Sequence, residues 1–479
     1  MKYLLSVFSM IMLLAISSAA QTSKLQGNWD GRLYVQANTS IKLVFHIRDS
    51  IGLSATVDSP DQGAFGIKCD EVSSKGDSVF IILNRLRAKF SGSYSVEKDT
   101  AMLKGNWQQG PAKLPLNLRR SNLAQTKLDR PQQPKEPFAY NVEDVQYSSK
   151  DGKVTLGATL TTPKGDKKYP AVILITGSGQ QDRDETLLGH KPFWVIADYL
   201  TSKGYAVLRV DDRGVGKSKG DLTKATSLDF AEDVITSLEF LKKHKSIDVN
   251  AIGLIGHSEG GLIASLVSSR RKDIAFMILL SSPGVTGSKI VEEQGMAVIK
   301  SNGVSASVAE ELRPLTKESY RIIISAATKE KAHEEFLSVV KAWYPKASTQ
   351  ARQVIGATTE QEAATYAKRS VDQLYNPWFR FFLEHDPAAE LKKSSCPVLA
   401  LFGEKDIQVL PSQNKEPMTQ SLKASRKKSG YEVVEMPGLN HLFQHCKKCS
   451  VDEYAVLSET FAPEVLEKMA QWLNTNVKK

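Results

Sequence analysis

Residues Ile252 to Leu266 read IGLIGHSEGGLIASL. The apolar run Ile252-Gly253-Leu254-Ile255 predicts a strand, and Gly261 to Ser269 predicts a helix. Between them, Gly256-His257-Ser258-Glu259-Gly260 matches G-x-S-x-G. A nucleophile elbow turns sharply from strand into helix, and its glycines let the chains pass close together. A second match, Gly216-Lys217-Ser218-Lys219-Gly220, follows a polar turn and runs into Asp221-Leu222-Thr223-Lys224 with no immediate helix. That context makes Ser218 a loop residue and Ser258 the elbow serine. The same loop, Asp211 to Ser218 (DDRGVGKS), imitates a phosphate-binding loop. Asp211 stands where that motif needs glycine, and its carboxylate would repel phosphate, which excludes nucleotide binding.

Outward from the elbow, strands and helices alternate. Ala171 to Ile175 is a continuous apolar strand, as a sheet buried on both faces requires. Pro192 to Ser202 reads as a helix and Ala206 to Val210 as a strand. Ser227 is expected to cap a helix whose Phe230, Val234, Leu238 and Leu241 recur at helical spacing. Strands follow at Ala275 to Leu280, Val398 to Phe402 and Glu432 to Glu435. The alternation implies a doubly wound, mostly parallel α/β sheet. Between Pro283 and Ser395 lies a mainly helical insertion, about 284–395, read as a cap over the carboxyl ends of the strands.

A serine hydroxyl needs a base to take its proton, and that base needs an acid to orient it. In this fold the chain order is serine, acid, histidine. Gly403-Glu404-Lys405-Asp406 follows the strand ending at Phe402, which makes Asp406 the acid and Glu404 its rival. Met436-Pro437-Gly438-Leu439-Asn440-His441 follows the last strand, so His441 reaches the same edge. The remaining histidines fit less well. His46 lies on a strand of the amino-terminal region, His190 is upstream of the serine, His244 ends a helix, and His333 and His385 lie in the cap. His257 precedes the serine and is expected to point away from it, and His445 competes through proximity alone. Ile175-Thr176-Gly177-Ser178-Gly179 ends the strand expected to carry oxyanion donors. Backbone N–H of Ser178 or Gly179, with that of Glu259, is positioned to hold a developing oxyanion.

The rest of the chain is organised around this unit. Among 479 residues, 41% are hydrophobic, 8% aromatic and 24% charged, the balance of a globular protein with two domains or one decorated one. Lys2, the apolar run Tyr3 to Ile16 and Ser18-Ala19-Ala20 read as a secretory signal peptide over 1–20, implying export to the periplasm or medium. No cysteine follows it, which argues against a lipid anchor, and no later run is long enough to span a membrane. Residues 21–120 alternate with a period of two. Ile41, Leu43, Phe45 and Ile47 face inward against Lys42, Val44, His46 and Arg48, and Ser78 to Leu83 and Leu114-Leu116-Leu118 repeat the signal. With Gly-Asn-Trp at 27–29 and again at 105–107, this predicts a small all-β barrel or sandwich. The proline-bearing stretch 121–137 reads as a linker, and 138–479 as the α/β domain.

Lys plus Arg exceed Asp plus Glu by 63 − 53 = 10. The densest knots, Arg426-Lys427-Lys428 and Arg270-Arg271-Lys272, are short and lack aromatics, so they read as solvated surface and not as a nucleic-acid face. Four cysteines are too few for a disulfide scaffold. Cys396 reads as a buried apolar residue. Cys446-Lys447-Lys448-Cys449 is either a local disulfide or two thiols, and zinc binding with His445 would lack a fourth ligand.

From about Pro137 to Lys479 the chain resembles the α/β-hydrolase superfamily. Thr176 to Glu185 (TGSGQQDRDE), Asp211 to Ser218 and Asn376-Pro377-Trp378-Phe379 resemble the exported bacterial esterases of the EstD type, which are related to serine aminopeptidase-like hydrolases. Residues 21–120 resemble the β-rich, loosely lipocalin-like module ahead of some exported hydrolases. The resemblance implies hydrolysis of small-molecule carboxylic esters through an acyl-enzyme, without metal or organic cofactor. It carries Ser258, Asp406 and His441 onto nucleophile, acid and base. Thr176-Gly177 stands where other branches have His-Gly. Two other expectations compete: cleavage of short peptides, which needs a carboxylate for the substrate amine, and an inactive scaffold displaying the β-module for binding.

Overall fold

The computed structural model describes residues 24–36, 39–49, 52–60, 64–86, 88–109, 112–121, 130–425 and 430–477. The expected signal peptide, most of the expected linker and Arg426-Lys427-Lys428 lie outside the described residues. Two units are present, Met1–Asp129 and Arg130–Lys479.

In the first unit, nine antiparallel strands run in the spatial order β4-β3-β2-β1-β9-β8-β7-β6-β5. They are β1 (Gly27–Gln36), β2 (Thr39–Asp49), β3 (Leu53–Ser59), β4 (Ala64–Lys68), β5 (Glu71–Lys75), β6 (Ser78–Leu83), β7 (Ala88–Glu97), β8 (Thr100–Gln109) and β9 (Ala112–Ser121). First and last strands pair directly, Trp29 opposite Arg120. The other two ends of the sheet are consecutive in the chain. Cys69 N–H donates to Ala55 O of β3 at 3.0 Å, and Asp70 N–H to Ile82 O of β6 at 2.8 Å, so the short link between β4 and β5 is held by the neighbour of each edge strand. Trp29, Phe45, Phe90 and Trp107 are buried in this unit's core, with the Phe45 and Phe90 rings 5.8 Å apart. Both Gly-Asn-Trp tryptophans are core residues. The outward row of β2 departs from expectation, because Val44 and His46 are buried. His46 is held by Asp58 Oδ2 at 2.9 Å and Asn28 Oδ1 at 2.8 Å, a polar pairing that period-two reasoning cannot detect.

The second unit contains an eight-stranded sheet of order β10-β11-β13-β12-β14-β15-β16-β17. It comprises β10 (Asn141–Ser148), β11 (Thr155–Thr162), β12 (Tyr169–Ile175), β13 (Ala206–Val210), β14 (Ile247–His257), β15 (Met277–Leu280), β16 (Val398–Gly403) and β17 (Tyr431–Met436). From β13 to β17 neighbours are parallel, whereas β10 and β11 are antiparallel additions at one edge. Alternate residues of β12 face opposite cores. Ala171, Ile173 and Ile175 pack with Leu238, Leu262 and Ile263, from helices α2 (Ser227–Lys243) and α3 (Glu259–Arg270). Val172 and Leu174 pack with Phe193, Leu200 and Leu473, from α1 (Pro192–Ser202) and the last helix, Pro463–Asn476. This two-sided burial is the doubly wound arrangement that the alternation of strands and helices implies. Between β15 and β16 stand the cap helices α4 (Gly287–Ser301), α5 (Ala306–Ser325), α6 (Lys329–Trp343), α7 (Thr349–Val354), α8 (Glu360–Leu374), α9 (Pro377–Glu384) and α10 (Ala388–Leu391), most of which share a core of their own.

Three details differ from the sequence reading. Thr226, not Ser227, caps α2, in a box with Asp229, while Ser227 is the first helical residue. The β10–β11 hairpin escaped notice because its first strand is mostly exposed and its second is rich in threonine. Residues 130–137, expected as linker, begin the second unit. Arg130 donates to the carbonyls of Leu457, Leu188 and Ala455, and Gln132 to Phe461 O at 2.6 Å, bonds that composition could not forecast. Arg270 and Arg271 are paired with Glu232, Glu239 and Asp273, which balances the charge of that basic knot.

Candidate active site

Parallel register brings the strand ends together. His257 lies opposite Leu280, Leu280 opposite Leu401, and Gly403 opposite Met436. The residues that follow β12, β14, β16 and β17 therefore emerge along one edge, where open α/β sheets bind their ligands. The expected oxyanion segment, Ser258, Asp406 and His441 all start from that edge.

Ser258 has φ 55° and ψ −122°, a strained conformation for a residue with a side chain. Its N–H donates to Leu280 O at 2.8 Å, fixing the elbow to β15. The flanking glycines are required by space. A Cβ on Gly256 would lie 2.1 Å from Gly260 O, and one on Gly260 2.1 Å from Ile175 O. Ser218, by contrast, is structural: its Oγ donates to Asp211 O at 2.7 Å and accepts Gly157 N–H at 2.8 Å. Asp211 fills its own loop, accepting from Lys217 N at 2.9 Å and from both ends of the Arg183 guanidinium.

His441 Nδ1 lies 2.8 Å from Asp406 Oδ2, with both side chains buried. Asp406 Oδ1 accepts from Gln408 N at 2.7 Å and Val409 N at 2.9 Å. With Oδ1 occupied by backbone donors, Oδ2 is the oxygen offered to Nδ1; a hydrogen on Nδ1 would leave Nε2 of His441 with its lone pair. Among the described residues no hydrogen bond joins Ser258 Oγ to the His441 ring. What joins the two segments is His257, whose Nε2 lies 2.9 Å from His441 O and whose ring centre is 4.8 Å from that of His441. Glu404, the rival acid, accepts from Gly438 N and is not bonded to a histidine.

The oxyanion segment presses on the elbow: a Cβ on Gly177 would lie 3.2 Å from Ser258 Cβ. Gly177 N–H is taken by Glu185 Oε1 at 2.8 Å. Ser178 and Gly179 lie next to it, and Glu259, first residue of α3, has an N–H with no helical partner. The Glu259 side chain is buried and accepts from Ser178 Oγ at 2.7 Å, Ser227 Oγ at 2.6 Å and Trp378 Nε1 of the cap at 2.8 Å. Burial raises its pKa against those three donors. Asp212, accepting from Thr176 Oγ1 and Gln181 N, is pushed by burial to about 7.

Sequence reasoning did not find the roles of Glu185, His257 or Trp378, nor the Glu259 side chain. The other histidines stay outside the cluster. His190 is buried between Thr460 and Tyr454 O, and His445 sits between Glu459 and Glu464 at the surface. Cys446 and Cys449 are joined in a disulfide, which uses both sulfurs weighed as zinc ligands.

Over residues 193–443 the sequence matches the family described as serine aminopeptidase, S33, a span of more than half the chain. The chain belongs to that family. The hydrolase is 25% identical over 348 residues to Esterase EstD of Thermotoga maritima, covering 71% of this chain and 68% of that one. It is 24% identical over 338 residues to an uncharacterized 31.7 kDa protein of Escherichia coli, covering 68% of the hydrolase and 99% of the relative. Among solved structures it is similar to an esterase of Pyrococcus furiosus, with TM-score 0.41 and 16% identity, over 74% of this chain and 99% of that one.

Proposed function

We propose that the protein is a serine esterase that cleaves small carboxylic esters through an acyl-enzyme. The observation that carries this reading is the buried Asp406–His441 pair, reached from the same sheet edge as a strained serine on a strand-to-helix turn. In the proposed reaction Ser258 Oγ attacks the ester carbonyl as His441 Nε2 removes its proton, a contact that closes on substrate binding. Asp406 holds the imidazole in the productive tautomer and stabilises the imidazolium. Backbone N–H of Ser178 or Gly179, with that of Glu259, receives the negative oxygen. Loss of one such donor costs about 10² to 10³ in turnover. His441 then protonates the leaving alcohol, and a water activated by the same nitrogen frees the acid. The similarity to a named esterase supports the ester as substrate class.

The family's description favours a second reading, peptidase action on short peptides. That reaction needs a carboxylate open to the substrate's ammonium. The acid next to the nucleophile, Glu259, is buried under three donors, and the cap acids Glu292, Glu293 and Glu310 converge on Arg313. These engagements favour esters. Hydrolysis of p-nitrophenyl acetate and butyrate by wild type and Ser258→Ala tests the proposal: full activity in the alanine variant overturns it. Aminoacyl-naphthylamide turnover above ester turnover would select the peptidase, and failure of a fluorophosphonate to label Ser258 would select an inactive scaffold.

We further propose export, on the charged start and apolar run of residues 2–16. Amino-terminal sequencing of the protein recovered from its host tests this, with a start at Gln21 expected.

A further inference from the structure

His257 and Glu185 are both buried, with side-chain exposures of 8% and 6%. The two ring nitrogens of His257 face acceptors: Nδ1 lies 2.9 Å from Glu185 Oε1, and Nε2 lies 2.9 Å from His441 O. A carbonyl cannot donate, so Nε2 carries a hydrogen. A neutral ring would then turn its Nδ1 lone pair toward a carboxylate oxygen, two acceptors in contact inside the protein. A proton held between them removes the conflict. Glu185 Oε1 also accepts Gly177 N–H, and Glu185 itself sits at φ 52°, an uncommon backbone conformation for a non-glycine residue.

We propose that Glu185 and His257 form a second acid–histidine pair that positions and does not react, tying the oxyanion segment at Gly177 to the backbone of the base at His441. The proposal rests on the catalytic reading above. The three points it joins come from different elements: the loop after β12, the end of β14 and the loop after β17. Glu259 already ties Ser178 to the elbow, and this pair extends the tie to the backbone of His441; a misplacement of about 1 Å near a reacting centre costs on the order of 10²-fold. The groups facing His257 are Glu185 from the loop after β12, His441 from the loop after β17 and Asp406 from the loop after β16. Asp212, after β13, interacts with Glu185 through its charge. Burial disfavours the imidazolium, but Glu185, the His441 carbonyl and Asp406 outweigh it and raise its pKa above the ordinary histidine value. The link holds while that proton is in place and fails when it leaves.

The test compares kcat, KM and the pH profile of p-nitrophenyl butyrate hydrolysis in wild type, Glu185→Gln, Glu185→Asp, His257→Gln and Ser258→Ala. For Glu185→Gln and His257→Gln, kcat should fall about 10- to 100-fold with KM nearly unchanged. In Glu185→Gln the alkaline limb should move to lower pH, and Glu185→Asp should recover part of the loss. Folded glutamine variants with wild-type kcat and pH profile overturn the proposal. If neither glutamine variant folds, proton NMR of Asp406→Asn decides. A far-downfield imidazole N–H that survives this change, and also survives Asp58→Asn, which removes the buried His46–Asp58 pair, belongs to His257 and supports the pair, and its absence overturns it. Turnover retained by Ser258→Ala would instead defeat the catalytic reading, while the NMR signal would still report the pair.

Discussion

The indole Nε1 of Trp378 donates to the carboxylate of Glu259 across 2.8 Å, so the cap holds the residue that follows Ser258. The same carboxylate holds Ser178 of the oxyanion segment and Ser227 at the start of α2. One buried acid thus gathers the cap, the second helix and Ser178 around Ser258. Such an acid is costly to ionise unless its donors are all in place.

Replacing Glu259 separates charge from hydrogen bonding. Glutamine offers one oxygen to Trp378 and Ser227 and an amide toward Ser178 Oγ, so Glu259→Gln should fold. Glu259→Ala strands three donors and should lose about 1–3 kcal/mol for each that finds no water. Because burial raises the pKa of Glu259, the group's contribution to stability is fully present below its unfolded value of 4.5. That contribution is lost as pH rises through the higher folded value. Urea unfolding at several pH values should therefore show a flatter profile above pH 4.5 for Glu259→Gln than for wild type.

Asp406→Asn should keep the fold, because the asparagine carbonyl can still accept from Gln408 and Val409. Its amide would then donate to His441 Nδ1 and force the hydrogen onto Nε2, removing the base. A loss of about 10⁴ in kcat is expected, read by steady-state kinetics. A loss of less than tenfold would point to another acid, Glu404 first.

That Ser258, Asp406 and His441 emerge at one sheet edge was legible, because each sits a few residues past an apolar strand. Ser218 could be set aside for the same reason, and its bond to Asp211 O agrees. Glu185, His257 and Trp378 were not legible as a set. Their partners lie 72, 184 and 119 residues away, and neither periodicity nor a local motif encodes such distances. Burial of His46 was missed likewise, since Asp58 reaches it from another strand. The mainly helical character of the insertion was readable, but not that the indole of Trp378 within it reaches down to the helix that begins at Glu259.

His190 makes a clean probe of acid stability. It is fully buried, its Nε2 donates to Tyr454 O at 2.8 Å, and its Nδ1 faces Thr460 Oγ1 at 3.0 Å. Burial, with Arg130 nearby, pushes its pKa from 6.5 down to about 4. The unfolded chain therefore binds a proton in this window that the folded chain refuses. Stability should be full above pH 6.5 and fall by about 3 kcal/mol on the way to pH 4. His190→Gln should flatten that part of the curve in chemical unfolding, and an unchanged slope would assign the acid loss to other groups.

The disulfide and Glu453 brace the same turn by different means. Cys446 and Cys449 close a ring across a sequence separation of 3. Glu453 accepts the N–H groups of Lys447, Lys448 and Cys449 at distances from 2.7 to 3.2 Å. So short a ring removes little freedom from the unfolded chain, about 2 kcal/mol in the loop-entropy account. The carboxylate, by contrast, satisfies backbone donors that would otherwise point at one another without a partner. Cys446→Ser with Cys449→Ser should lower stability by no more than about 2 kcal/mol and leave esterase turnover intact, because the turn keeps its anion. Glu453→Ala should cost more than the double serine variant in the same thermal melt. The reverse order would mean that the covalent bond, and not the carboxylate, shapes the segment that follows His441.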